Sequence, residues 1–228
     1  MVDVFLHIPK CGGSTIRSAI MNKYSGKNVV RVYGDREKGY NFSVSNFQSG
    51  FLSLKSNVEI KAVCGHIKYQ VFHDYFAEEI DSLRFFSFLR DPIERGISNI
   101  NYMKANIRHR SHEKALRINK ENVFEFLSKP SNSNFQYKYL GGTCGFAVDE
   151  VIERVQLYKL EDYKIALREL GLVGSGDIIE RKNSTTGLKS KNGLDSLSLL
   201  TIDDLSAQEL ETLRELNSKD YQLISNTR

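Results

Sequence analysis

The chain has 228 residues, 40% hydrophobic and 26% charged, which suits a single globular unit over residues 1–228 with a substantial core. Its net charge of +4 favours anionic ligands without demanding nucleic acid, and no run of roughly 18 apolar residues is present to cross a membrane. Cys11, Cys64 and Cys144 are odd in number, widely spaced and form no C-x-x-C pair, which argues against a disulfide framework or a zinc site; with Met1 leading straight into a strand, the expected location is the cytoplasm.

Val4-Phe5-Leu6-His7-Ile8 reads as a buried parallel strand that Pro9 stops. Gly12 and Gly13 loosen the backbone, and Ser14 and Thr15 open a helix whose Ile16, Ala19 and Ile20 share one face. Strand, glycine loop and helix together aim backbone N–H groups at an anion, and Lys10 adds a point charge, so this stretch reads as a phosphate or sulfate cradle. The nucleotide P-loop has the order G-x-x-x-x-G-K-[ST]; here Lys10 precedes the glycines, which disfavours a nucleotide kinase.

A turn over 25–28 leads to a second strand over 29–33, followed by a polar, glycine-dotted loop over 34–58. Residues 59–66 read as a third strand ending at Gly65, followed by a short helix from Tyr69 to Ala77. Residues 84–90 form a strongly apolar strand. Asp91 as N-cap, Pro92 at the first helical position and Glu94 in a capping box then start a helix to about Lys104. Residues 104–120 carry Lys104, Arg108, Arg110, Lys114, Arg117 and Lys120 against Glu113 alone, as either a solvated face or a lid that attracts an anionic acceptor. Helices are expected over 121–128, 134–140 and 147–154, then a short strand over 156–160 and a helix over 161–170 ended by Gly171. A last strand over 176–180 and an exposed loop over 185–200 precede a final helix with Ser206 as N-cap, Glu209 at N3 and Leu205 stapled onto Leu210. Strands alternating with helices predict an α/β fold with a mainly parallel sheet covered on both faces.

Three places carry chemistry. The cradle is the first. Arg90 ends a strand, where open α/β sheets bind ligands, and Ser98 lies two turns into the next helix. A bidentate guanidinium and a hydroxyl would bracket one phosphate, with a neighbouring acid as the competing partner for Arg90. His66, after Gly65 at a strand end, is placed for general-base work; His73 is the reserve and His7 reads as a core residue. Two histidines without a third ligand make a poor metal site.

Taken together these stretches resemble a known family. Ile8-Pro9-Lys10-x-Gly12-Gly13-Ser14-Thr15 resembles the 5′-phosphosulfate loop of sulfotransferases that use 3′-phosphoadenosine 5′-phosphosulfate (PAPS). Phe88-Leu89-Arg90-Asp91-Pro92-x-x-Arg95-x-x-Ser98 resembles their 3′-phosphate motif. Gly65-His66-x-x-Tyr69 is similar to the segment with the catalytic histidine in the carbohydrate branch, the heparan sulfate 2-O-sulfotransferase group. Asn134-x-Gln136-x-x-x-Leu140-x-Gly142 is similar to another segment of that branch, and Arg181-Lys182-Asn183-Ser184 to a late loop that closes over the nucleotide. Cys11 stands where threonine is common, and the membrane anchor of Golgi members is lacking, which points to a soluble, bacterial-type relative.

The resemblance implies a P-loop-NTPase-like sheet and transfer of a sulfuryl group from PAPS to a hydroxyl acceptor. That acceptor would be a carbohydrate, an anionic glycan included, or another small alcohol, and adenosine 3′,5′-bisphosphate (PAP) would be released. It implies PAPS binding by Lys10, Cys11, Gly12, Gly13, Ser14, Thr15, Arg90, Ser98, Arg181, Lys182, Asn183 and Ser184, with no metal. Lys10 would neutralise the bridging oxygen as PAP leaves, and His66 would take the acceptor's proton. The competing readings are a nucleotide-binding module without turnover and a P-loop-like kinase.

Overall fold

The computed structural model describes residues 1–33, 59–179 and 185–228; the loop predicted over 34–58 and the segment Arg181, Lys182, Asn183 and Ser184 lie outside the described residues. Five strands, β1 (Val2–Leu6), β2 (Val29–Val32), β3 (Ala62–Gly65), β4 (Leu83–Leu89) and β5 (Gln156–Lys159), make one sheet in the order β2-β3-β1-β4-β5. Every neighbouring pair is parallel. Around it lie α1 (Gly13–Tyr24), α2 (Tyr69–Tyr75), α3 (Pro92–Ala105), α4 (His112–Leu116), α5 (Val123–Leu127), α6 (Phe135–Leu140), α7 (Val148–Arg154), α8 (Tyr163–Glu169), α9 (Thr185–Lys191), α10 (Ala207–Leu216) and α11 (Ser218–Ser225).

Strand side chains alternate between the two faces, as a period of two requires. Val4, Leu6, Val63, Phe85 and Leu89 pack with Tyr69 and Phe72 of α2, Leu140 of α6, Val151 of α7 and Leu223 of α11. Phe5, Cys64, Phe86 and Phe88 pack with Ile16 and Ile20 of α1 and with Ala166 and Leu167 of α8. A separate apolar cluster joins Ile93, Ile97 and Ile100 of α3 to Val123 of α5, Leu205 and Leu213. The helices that follow β1 and β3 thus lie on opposite faces. That divergence opens a crevice at the C-terminal ends of the central strands, the usual ligand position in open parallel sheets. The other ends are fixed by Asp3, which accepts from Arg84 Nε (2.7 Å), Arg84 Nη2 (2.8 Å) and the Tyr24 hydroxyl (2.5 Å).

Some predicted elements differ from the structure. The strand predicted over 176–180 is irregular at 177–179, with Ile178 90% exposed. Gly174 N–H donates to Asp177 Oδ2 at 2.5 Å, a turn that steers the segment away from an extended pairing. The exposed loop predicted over 185–200 contains α9, tied to α3 by Asn192 Nδ2 donating to the Ala105 carbonyl at 2.7 Å. The final helix divides at Asn217, whose buried side chain donates to the Leu213 carbonyl (2.7 Å) and accepts Asn134 N–H (2.9 Å). Among the described residues, no helix is long and apolar enough to cross a membrane.

Gly65 closes β3 where β2 curls over it: a Cβ there would lie 2.3 Å from the Val32 carbonyl oxygen. The next residue is His66, whose N–H donates to that same oxygen at 2.8 Å. Since backbone rather than a flexible side chain fills the space, Gly65→Ala is expected to destabilise the protein by about 1–3 kcal/mol. Chemical denaturation measures this, and an unchanged midpoint would show that the strand ends part freely.

Candidate active site

Pro9 ends β1, and Cys11 N–H donates to the Ile8 carbonyl at 3.2 Å, closing a tight turn. Lys10 is held there with φ 74, a left-handed conformation that costs a non-glycine residue of order 1 kcal/mol and is typical of functional loops. Gly12, also at φ 74, precedes α1, which has no side-chain cap and no acid in its first turn. The N–H groups of Gly12 and Gly13 find no partner among the described residues. Orphan donors and a helix N-terminus make a site for negative charge. Gly13 permits a close approach, since a Cβ would come within 1.7 Å of His7 Nε2.

Cys11 turns inward. It is 1% exposed, and its thiol donates to Gln136 Oε1 at 3.5 Å. Burial pushes the thiol pKa up to about 12, so it stays neutral and supports the loop from beneath. Thr15 is buried with its N–H on the Gly12 carbonyl at 3.1 Å, and Ser14 is half-buried facing the cleft described below.

Lys10 Nζ lies 4.1 Å from the ring centroid of Tyr102 on α3. Burial pulls its pKa down to about 8, and the charge of Arg90 pushes the same way. Ser98 stands one turn before Tyr102 on the same helical face, which places it toward the cradle. Arg90 ends β4. Its guanidinium is held by Glu94, with Nε at 3.2 Å and Nη2 at 3.1 Å from Oε2. That pairing is the competitor which a phosphate has to displace or share. It also replaces the predicted capping box, because the Asp91 carboxylate alone takes the N–H groups of Ile93 and Glu94, each at 2.9 Å.

His66 follows β3. Its Nδ1–H donates to the His7 carbonyl at 3.0 Å, which leaves the lone pair on Nε2. The His7 ring stacks on it at 4.2 Å between centroids, and Tyr33 meets it edge-on at 5.1 Å. This crowding lowers the His66 pKa below its ordinary 6.5, the His7 carbonyl acts the other way, and Arg17 lowers it further. His66 is nevertheless exposed at the rim, so the shift is smaller than that of buried His7, which is held well below 6.5. His7 Nδ1 lies 3.2 Å from the Tyr33 hydroxyl. His7, Gly13, Ser14, Arg17, Tyr33 and His66 line one open cleft. His73 is exposed on α2, 2.9 Å from Asp74 Oδ1, and does not line it.

The crystal structure of mouse sulfotransferase SULT7A1 complexed with PAP matches with a TM-score of 0.55 and 10% identity, covering 99% of this chain and 85% of that one. The two share a fold, one parallel sheet flanked by helices. No family model and no curated protein matches the sequence. At such low identity the likeness lies in the order and direction of the elements.

Within this fold, Lys10, Gly12, Gly13, Arg90 and His66 gather at the C-terminal edge of three adjacent strands, β3, β1 and β4. Sequence reasoning gave no role to Tyr102, Tyr33, Gln136 or Asp220. Gln136 lay inside a matched segment, but its partners are 46 and 125 residues away. Among the described residues, no group of three or more His, Cys, Asp or Glu side chains is placed to hold a metal ion.

Proposed function

We propose that the chain transfers the sulfuryl group of PAPS to a hydroxyl acceptor and releases PAP. PAPS supplies sulfur already activated by a phosphate leaving group. The bond from sulfur to the bridging 5′-phosphate oxygen breaks, and a bond from sulfur to the acceptor oxygen forms. The acceptor's proton passes to His66 Nε2, and Lys10 sits where it neutralises the bridging oxygen. Gly12 and Gly13 N–H groups hold the 5′-phosphate, and Arg90 with Ser98 holds the 3′-phosphate.

One observation carries this reading. An uncapped anion cradle has two neighbouring cations, Lys10 and Arg90, and shares its Gly13 and Ser14 with a cleft lined by a histidine whose Nε2 keeps its lone pair. The acceptor is a carbohydrate or another small alcohol that enters the cleft beside His66. An anionic glycan suits the exposed Arg108, Arg110 and Lys114, whose segment is anchored beside Lys10 by Asn106 Nδ2 donating to the Tyr102 hydroxyl at 3.0 Å. The chain is read as a bacterial-type relative of the carbohydrate branch. All three cysteines are free thiols, which suits a reducing cytoplasm.

Calorimetric titration tests the donor. PAP is expected to bind at least about tenfold more tightly than AMP, since only PAP engages Arg90 and Ser98, and charged hydrogen bonds contribute roughly 1.5–3 kcal/mol each. Equal affinities would remove the basis of the reading.

A further inference from the structure

Gln136 is wholly buried at the second position of α6. Its amide bonds both backbone groups of Arg90: Oε1 accepts Arg90 N–H at 3.0 Å, and Nε2 donates to the Arg90 carbonyl at 2.7 Å. The same Oε1 accepts the Cys11 thiol at 3.5 Å. One side chain therefore joins the underside of the cradle loop to the strand end that carries Arg90.

The helix bearing Gln136 is itself fixed. Asp220 on α11, wholly buried, accepts N–H from Gln136 (3.2 Å) and Tyr137 (2.8 Å). In return Asn134 Oδ1 accepts N–H from Lys219 (2.9 Å) and Asp220 (3.3 Å), so each helix caps the other. The Tyr221 hydroxyl donates to Asp91 Oδ2 at 2.8 Å, and Asp91 caps α3, the helix that carries Ser98. Both halves of the Arg90–Ser98 site are thus referred to α11, and Gln136 continues to the cradle through Cys11.

We propose that Gln136 is a positioning residue that sets the separation between the 5′-phosphate cradle and the 3′-phosphate site, and with it the preference for a 3′,5′-bisphosphate over a 5′-monophosphate. This rests on the donor reading above. A bisphosphate must fit both sites at once, so a displacement of about 1 Å between them weakens it steeply. A monophosphate uses the cradle alone and does not sense the separation. The buried Arg95 guanidinium, 4.2 Å over the Phe135 ring, adds positive charge near both Cys11 and Asp220.

The test titrates PAP and AMP into the full chain, wild type and variants. Gln136→Met keeps the side-chain length and removes every bond; it is expected to lower PAP affinity about tenfold or more and to leave AMP affinity within about twofold. In Gln136→Glu the introduced carboxyl, once ionised at high pH, cannot donate to the Arg90 carbonyl, and the PAP preference falls. As pH drops and that carboxyl protonates, it donates again, and the preference returns toward the wild-type value at the same pH. A packing role alone predicts no such recovery. The proposal is overturned if wild type prefers PAP and Gln136→Met keeps the full ratio or loses both nucleotides in the same proportion. Should Gln136→Met not fold, the Gln136→Glu pH series decides, and a ratio that tracks wild type at every pH overturns it. A wild-type chain without preference for PAP removes the donor reading and this proposal together.

Discussion

His66→Ala is expected to fold and to bind PAP as the wild type does, while turnover on an alcohol acceptor falls about 10²–10⁴-fold, the usual worth of a positioned base. An alcohol is a poor nucleophile near neutral pH, so its proton must leave as it attacks sulfur. Among the residues that line the cleft, a histidine nitrogen with a free lone pair suits that task. The Nδ1–H bond to the His7 carbonyl fixes the tautomer and gives that lone pair to Nε2. His7 lines the same cleft, but its Nδ1 faces the Tyr33 hydroxyl and its Nε2 lies against Gly13. The pH profile follows from the direction of the shift. His66 must be neutral to act, and its pKa lies below the ordinary 6.5, so turnover rises with pH through an apparent pKa below 6.5. From the sequence alone the expected value is that of an ordinary histidine, about 6–7; the stacked His7 ring and burial beside Tyr33 move it down. If His66→Ala keeps near-wild-type turnover on the true acceptor while His73→Ala does not, the base is His73. If neither variant matters and no acceptor is turned over, a binding module replaces the enzyme.

What the sequence made legible is what short range decides. Pro9, Gly12 and Gly13 write the turn between β1 and α1 into five consecutive positions, and the structure adds that Lys10 shares the left-handed conformation. The caps at Asp91 and Ser206 are equally local: Asp91 Oδ1 takes two N–H groups, and Ser206 Oγ takes Glu209 N–H at 3.3 Å. The strand predicted over 176–180 differs for the converse reason. Two adjacent isoleucines specify a strand only where the chain is free to run along a sheet edge, and the turn closed by Gly174 N–H on Asp177 Oδ2 steers the segment away although β5 pairs with β4 alone among the described strands. Gln136, Asn217 and Asp220 were invisible as functional residues because each works through a backbone group far away in sequence. No local pattern reports that a buried amide will meet the Arg90 backbone, or that α6 and α11 will cap one another across 83–86 residues.

Lys10→Ala is expected to reduce turnover by about 10²–10³-fold while weakening PAP far less, because the group it removes acts chiefly on charge that develops during transfer. The geometry supports this division. In the resting structure Lys10 Nζ lies over the Tyr102 ring, and nearby Arg90 opposes its charge. Such a group gains most when a phosphate oxygen takes on negative charge. A second, independent signature comes from titration. The Lys10 pKa of about 8 lies below the usual lysine value of 10.5, so the free protein loses this charge as pH rises through 8. A bound phosphate favours the ammonium and raises that pKa. Below pH 8 Lys10 is charged in both states and contributes no pH dependence. Above it, binding takes up a proton, and PAP affinity falls until the bound-state pKa is reached. The profile of kcat/KM for PAPS, which reports the free enzyme, is expected to decline through about 8, and that of kcat only at higher pH. Lys10→Ala abolishes the decline in PAP affinity while the PAP-over-AMP preference, carried by Arg90 and Ser98, persists. Normal turnover with only a raised KM for PAPS would make Lys10 a plain binding residue. A decline through 8 that survives in Lys10→Ala would assign that titration to another group.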